Sequence, residues 1–203
     1  MLQGYNIDQF GILKQLNPIT EVRDYGLERN GYGEKSHYLS YMRLGFLKGY
    51  VSESTSILDV GYGNGDFLRA CQKHFTLCAG YDLIDTYLPD GCFKETDLFA
   101  NEYDVITFYD ALEHFEDIYF LEKLKCKYVV ISLPNCKYPT DPEWLLQWKH
   151  LKPNEHLYHM NKESLTALLE ASGYEVVCSS YYEDIIRKDA RLKDNILTII
   201  GRK

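Results

Sequence analysis

Three glycines and three acids mark where this chain can do chemistry. Gly61, Gly63 and Gly65 stand at alternate positions directly after the apolar run Ser56-Ile57-Leu58-Asp59-Val60. Strand, glycine turn and helix in that order bring backbone N–H groups at a helix N-terminus against a ligand. Glycine is required because a Cβ would block a ligand lying on the backbone, and because such turns use positive φ. Asp59, just ahead of the turn, can hold a turn N–H or an ammonium group. Asp82 falls 21 residues after Gly61, where an acid accepts hydrogen bonds from both hydroxyls of a ribose. Asp97 lies further on, placed to accept from an exocyclic adenine amine.

The phosphate-binding versions of this turn do not match. A dinucleotide fingerprint needs a third glycine where Asp66 stands, and an acid there is poorly placed beside a pyrophosphate. No Gly-Lys-Ser/Thr follows, so the P-loop pattern is missing too. A ligand with a ribose and an amino-acid tail, lacking phosphates, suits the acids better.

The elements that must carry these residues alternate along the chain. Apolar runs at 56–60, 77–81, 93–95, 103–109 and 128–133 read as strands. Helical spacing falls at 36–50, 65–75, 116–124 and 162–172, and a short helix is expected around 10–16. Asn161 is a good N-cap for the last long helix, and Gly173 falls where its terminating glycine belongs. Two further strands, near 175–182 and 195–201, close the chain as a hairpin-like pair. Strands alternating with helices imply a mainly parallel sheet covered on both faces. The three acids then converge at the carboxyl ends of the strands, where such sheets bind ligands.

At 203 residues the chain is expected to form one domain over 1–203, with an N-terminal arm and leading helix at 1–50 and a lid-like insertion at 136–160. A net charge of -8 argues against a partner held by its phosphates, so nucleic acid is not the expected partner. Arg187, Lys188, Arg191, Lys193, Arg202 and Lys203 gather near the C-terminus and read as a solvated face. Six scattered cysteines without a C-x-x-C pair suit a reducing, cytoplasmic setting. No signal pattern opens the chain, and the apolar runs are strand-sized, so no membrane span is expected. Oligomeric state is left open.

Taken together, Leu58-Asp59-Val60-Gly61-Tyr62-Gly63-Asn64-Gly65, Gly80-Tyr81-Asp82, Asp97-Leu98 and Asp104-Val105-Ile106 through Leu112-Glu113-His114 resemble class I S-adenosylmethionine-dependent methyltransferases. Trp148-x-His150-x-x-Pro153-x-Glu155-His156 and Leu168-Leu169-Glu170-Ala171-Ser172-Gly173-Tyr174 bring the resemblance closer to the small-molecule branch that includes ubiquinone O-methyltransferases. It covers about residues 37–203. The resemblance implies a Rossmann-like, doubly wound α/β sheet of seven strands, mostly parallel with an antiparallel C-terminal strand. It implies S-adenosylmethionine as cofactor, with Gly61, Gly63 and Gly65 under its methionine part and Asp59 near the amino end. Asp82 would hold the ribose, Asp97 and Leu98 the adenine, and Asp110 would border the methionyl group. Arg43, 16 residues before Asp59, would pair with the cofactor carboxylate. Tyr62 departs from the small residue or cysteine more common there.

Methyl transfer to a small-molecule oxygen or nitrogen is the expected reaction. Positioning can supply most of its acceleration, and a histidine suits removal of the acceptor's proton. His114, four residues after Asp110, is one candidate base, although Glu113-His114 can equally cap a turn. His156, in the insertion, is the other catalytic candidate. His150, His156 and His159 cluster there with Trp144, Trp148, Tyr158 and Glu155, but H-x5-H-x2-H matches no helical zinc motif and no thiolate accompanies it. No metal site is therefore expected. The tryptophans read equally well as a pocket wall or as ordinary packing. The base-methylating turns of DNA enzymes are missing at Tyr109-Asp110-Ala111-Leu112. Two rivals keep the same turn: a non-catalytic module binding the same cofactor, and a nicotinamide-dependent oxidoreductase.

Overall fold

A computed structural model describes residues 2–19, 34–84, 87–187 and 193–203. The chain begins with a hairpin, β1 (Tyr5–Ile7) and β2 (Leu13–Gln15), where the sequence pattern suggested a helix. Asp8 explains the difference. Its carboxylate accepts from the amides of Phe10 and Ile12, closing a tight turn that competes with helix. Helix α1 (Glu34–Lys48) then leads to β3 (Ser56–Val60), the glycine turn, and α2 (Asp66–Cys71), which is shorter than its apolar spacing suggested.

Strands β4 (Leu77–Tyr81), β5 (Phe93–Glu95), β6 (Tyr103–Tyr109) and β7 (Cys126–Pro134) follow. Between β6 and β7 the expected helix is reduced to two 3-10 turns, Leu112–His114 and Tyr119–Lys123. The insertion contributes α3 (Pro142–Gln147) and β8 (Tyr158–His159). Helix α4 (Lys162–Ala171) carries the predicted cap, with Asn161 and Ser164 exchanging side chain-to-backbone bonds. Strand β9 (Glu175–Ser180), a 3-10 turn at Tyr182–Ile185 and β10 (Ile196–Arg202) complete the chain.

The main sheet has seven strands in the order β5-β4-β3-β6-β7-β10-β9. The five strands from β5 to β7 are parallel, and β10 runs antiparallel to both neighbours. This is the Rossmann-like arrangement expected from the sequence. β3 and β6 lie side by side although β4 and β5 intervene in the chain, so the strand order reverses there. The crevice outside their carboxyl ends is where a ligand lodges in such a sheet. Both faces of β3 and β6 are covered, which is why Ile57, Leu58, Val105, Ile106 and Phe108 are all fully buried.

The insertion is fastened down on two sides. β8 pairs with β2, forming a second, three-stranded sheet, and the Cys136 amide donates to the Met160 carbonyl across the base of the segment. Trp144 and Trp148 stack at 5.2 Å, and Trp148 packs with Tyr5, Leu13, Cys136 and Leu145. The tryptophans thus dock the insertion on the N-terminal hairpin and do not wall the ligand cavity. All six cysteines are free thiols. Burial pushes those of Cys78 and Cys136 up to about 12, so both are unreactive. Tyr25 and Tyr32, tyrosines of the N-terminal arm that could close the site, lie outside the described residues.

Candidate active site

The glycine turn is held from within. Gly61, Gly63 and Gly65 all adopt positive φ (74°, 55° and 73°), which a side chain would strain. Their amides are used inside the protein: Gly61 donates to the Tyr81 carbonyl, Gly63 to the Asp82 carboxylate and Gly65 to the Tyr62 carbonyl. The expectation that turn amides face a ligand is corrected for these three. A phosphate would need those N–H groups; a cofactor whose tail is a cationic amino acid needs carboxylates instead. Asp59 and Asp110 line the cavity beside the turn, where a Cβ on Gly61 would lie 2.8 Å from that of Ala111. The donor set therefore fits S-adenosylmethionine and not a dinucleotide.

Tyr62 is accounted for by Gly80. Its ring is buried against β4, and a Cβ at Gly80 would lie 2.6 Å from the ring carbon Cδ1. The large side chain turns into the core at a position where the neighbouring strand has none.

One cavity of about 360 Å³ opens at the carboxyl ends of β3 and β6. It runs from Asp59 and Gly61 past Arg43 and Asp110 to Glu113, His114 and His156. Asp82 and Asp97 stand outside this lining. Asp82 bonds the amides of Gly63 and Ile84, and Asp97 that of Phe99. Each carboxylate retains capacity for further hydrogen bonds, since its two oxygens offer about four acceptor sites. Leu98 is buried in the main core, so its side chain packs there.

Arg43 departs from expectation. Its guanidinium meets Glu183 through a two-point contact at 2.8 and 2.9 Å and reaches Asp110 at 3.0 Å, lying 4.2 Å above the Tyr109 ring. Arg187 bonds the same two acids at 2.9 to 3.0 Å, and Ser132 donates to Glu183 at 2.8 Å. Arg43 thus serves a buried network of two arginines and two acids and not, as arranged here, a cofactor carboxylate. Arg187 is likewise not part of a solvated basic face. Burial alone would lower the arginines and raise Glu183; the opposite charges reverse both effects, so both arginines and Glu183 stay ionised. Sequence reasoning missed Glu183 altogether. The i, i+4 spacing of Glu183 and Arg187 was the available signal. Asp110 sits at φ 54°, a left-handed conformation that aspartate tolerates and that aims its carboxylate at the two arginines.

At the other end of the cavity, the His114 ring meets the His156 ring edge-on, centroids 4.8 Å apart. Nδ1 of His114 bonds the Glu155 carbonyl at 2.8 Å, and Nδ1 of His156 bonds the His150 carbonyl at 3.0 Å. A carbonyl only accepts, so Nδ1 carries the proton in each ring and Nε2 holds the lone pair. Burial, reinforced by His114 and His159, pushes His156 down to about 2, which makes it a weak base at neutral pH. Burial likewise brings His150 and His159 down to about 4. The three histidines of the insertion do not form a common set. Instead, ligand atoms of Glu113, His114 and His156 lie within 4.8 Å of one another.

A family model described as a methyltransferase domain matches residues 34–179, and the chain belongs to that family. With this sheet it is a class I methyltransferase, an enzyme whose cofactor is S-adenosylmethionine. Among solved structures it is similar to a SAM-dependent methyltransferase from Archaeoglobus fulgidus, at 20% identity and a TM-score of 0.59, covering 82% of this chain and 94% of that one. The N-terminal domain of EvdMO1 with SAH bound is similar at 14% identity and a TM-score of 0.54, covering 79% of each chain. Mitomycin 7-O-methyltransferase MmcR is similar at 17% identity and a TM-score of 0.54, covering 75% of this chain and 50% of that one. At these identities the similarity is one of fold. No curated protein sequence matches the chain. Among the described residues, no helix is long and apolar enough to cross a membrane.

Proposed function

We propose that this methyltransferase acts on an oxygen or nitrogen of a small molecule held between the glycine turn and the insertion. One observation carries the reading: a single cavity joins Asp59 and Gly61 to His114 and His156, and its volume of about 360 Å³ is small-molecule sized. In this reading Gly61, Gly63 and Gly65 underlie the methionine part of the cofactor, with Asp59 and Asp110 beside its ammonium group. Asp82 receives the ribose hydroxyls and Asp97 the adenine amine, while Leu98 adds backbone contact only. Arg43 positions Asp110. The insertion, packed on the hairpin, forms the outer wall, and the whole chain works as one domain.

Bound S-adenosylmethionine supplies an electrophilic methyl group on a sulfonium. The protein's share is to fix the acceptor in line with that group, to exclude water and to let the acceptor's proton leave. His114, with Nδ1 anchored and Nε2 carrying a lone pair, stands where that proton must go. MmcR, by name a 7-O-methyltransferase of mitomycin, shares the fold and favours an oxygen acceptor. The test is transfer of labelled methyl from S-adenosylmethionine to panels of small hydroxyl and amine compounds. Incorporation into either class is expected; failure of both, by protein that binds S-adenosylhomocysteine, sinks the small-molecule reading.

A further inference from the structure

We propose that Glu113, His114 and His156 form a site for a divalent transition-metal ion, and that this ion holds the oxygen of a hydroxyl-bearing acceptor. The inference rests on the methyl-transfer reading, narrows its acceptor from oxygen or nitrogen to oxygen, and makes His114 Nε2 a ligand in place of the base. Three observations carry it. The ligand atoms of the three side chains converge within 4.8 Å. Two atoms sharing a metal at about 2.1 Å lie at most about 4.2 Å apart, so small side-chain rotations complete the set. Both rings are also in the ligand tautomer. Their Nδ1 atoms are bound to the backbone carbonyls of Glu155 and His150, as the outer partners of metal-bound histidines are, which makes Nε2 the coordinating atom; that of His156 stands 3.7 Å from Glu155 Oε1, beyond hydrogen-bond reach. Finally, all three residues line the cavity of the glycine turn.

Two imidazoles and one carboxylate suit Mn²⁺, Fe²⁺, Co²⁺ or Zn²⁺, and three protein ligands leave positions open for substrate. The open positions face the cavity, where one hydroxyl oxygen or a vicinal pair can bind. A bound cation would also set positive charge against a Glu113 side chain that is only 2% exposed. As a Lewis acid it acidifies the bound hydroxyl, replacing a histidine base. The balance is simple: the O–H proton passes to solvent past Glu155 and Lys152, which line the cavity and pair at 2.6 Å. The freed oxygen pair forms the new C–O bond, and the electron pair of the breaking C–S bond stays on sulfur. Sequence spacing could not show this set, because His114 and His156 are 42 residues apart.

Chelator-stripped protein titrated with Mn²⁺, followed by electron paramagnetic resonance, tests the site directly. One ion bound per chain is expected, with affinity falling at least about 10-fold in His156→Ala and in Glu113→Gln. Calorimetry with S-adenosylhomocysteine on the same samples reports whether each variant is folded, and Mn²⁺ should broaden proton signals of the bound nucleoside. Absence of Mn²⁺ binding by wild-type protein that binds S-adenosylhomocysteine overturns the metal site and leaves the methyltransferase reading intact. Unchanged Mn²⁺ affinity in both variants overturns it as well. Lack of S-adenosylhomocysteine binding would instead strike the cofactor reading, while the Mn²⁺ titration still judges the site.

Discussion

The two ends of the cavity are built in opposite ways. At the glycine end, nearly everything comes from one stretch, Asp59 to Gly65, and is locked by short-range backbone bonds to β4 and to Asp82. At the other end, Arg43, Asp110, Glu113, His114, His156, Glu183 and Arg187 arrive from four separate segments and are held by side-chain charge and by hydrogen bonds to carbonyls. A turn that binds a shared cofactor can be made locally, since the same shape serves whatever the acceptor. The acceptor end must be assembled from parts, and each part can vary separately. The difference also separates two kinds of fragility: backbone strain at one end, uncompensated charge at the other.

Removing a charge should test the assembled end hardest. Glu183 is wholly buried and faces both Arg43 and Arg187. Glu183→Gln leaves two buried cations short of an anion and should cost about 3–5 kcal/mol, read as a lower urea midpoint. A loss below about 1 kcal/mol would mean that Asp110 alone balances both arginines, and the contrast between the ends would collapse.

The next effect belongs to the glycine end. Asp82→Ala should weaken S-adenosylhomocysteine binding by about 100-fold, or about 2.7 kcal/mol, because the ribose hydroxyls and the Gly63 amide all lose an acceptor. Calorimetry showing unchanged affinity would remove Asp82 from the cofactor site.

Gly80→Ala probes the packing that accommodates Tyr62. The new methyl would lie 2.6 Å from Tyr62 Cδ1 and 2.9 Å from Leu88 Cδ1, at an expected cost of about 1–3 kcal/mol. Adding Tyr62→Ala should make the second change less costly than it is alone. Strict additivity of the two would mean that ring and glycine are not coupled.

The last effect is a pH slope, read in small steps of pH. His150 and His159 are held near 4 by burial, against an ordinary value of about 6.5. Between those values the unfolded chain binds protons that the folded one refuses. Stability should therefore be full above about pH 6.5 and fall on acidification toward about pH 4, by up to about 1.4 kcal/mol per pH unit for each ring. A urea midpoint that stays flat from pH 7.5 to 5 would place these rings in water.

What could be read from sequence follows the range of the interactions involved. The five parallel strands announce themselves because apolar runs bounded by turns are a local signal. The Asn161 cap and the glycine turn are equally local, and the converging strand ends follow once the strands are known. The helix expected around 10–16 gives way to a hairpin strand because one side chain, Asp8, redirects a segment whose apolar spacing is ambiguous. Of the expected solvated face, Lys193, Arg202 and Lys203 are exposed, Lys188 and Arg191 lie outside the described residues, and Arg187 alone departs, for a different reason. Composition records that a charge exists, while burial depends on what folds over it.

By itself, then, the sequence determined the sheet, the turn and the kind of cofactor, since these depend on contiguous residues and on the regular period of strands and helices. Only the tertiary structure decided that Arg43 serves Glu183 and Asp110, that Tyr62 fills the space Gly80 leaves, and that Glu113 and His114 meet His156. Those pairings join residues up to 140 positions apart. Their physical cause is the low tolerance of a protein interior for unbalanced charge and empty volume, which no local spacing encodes.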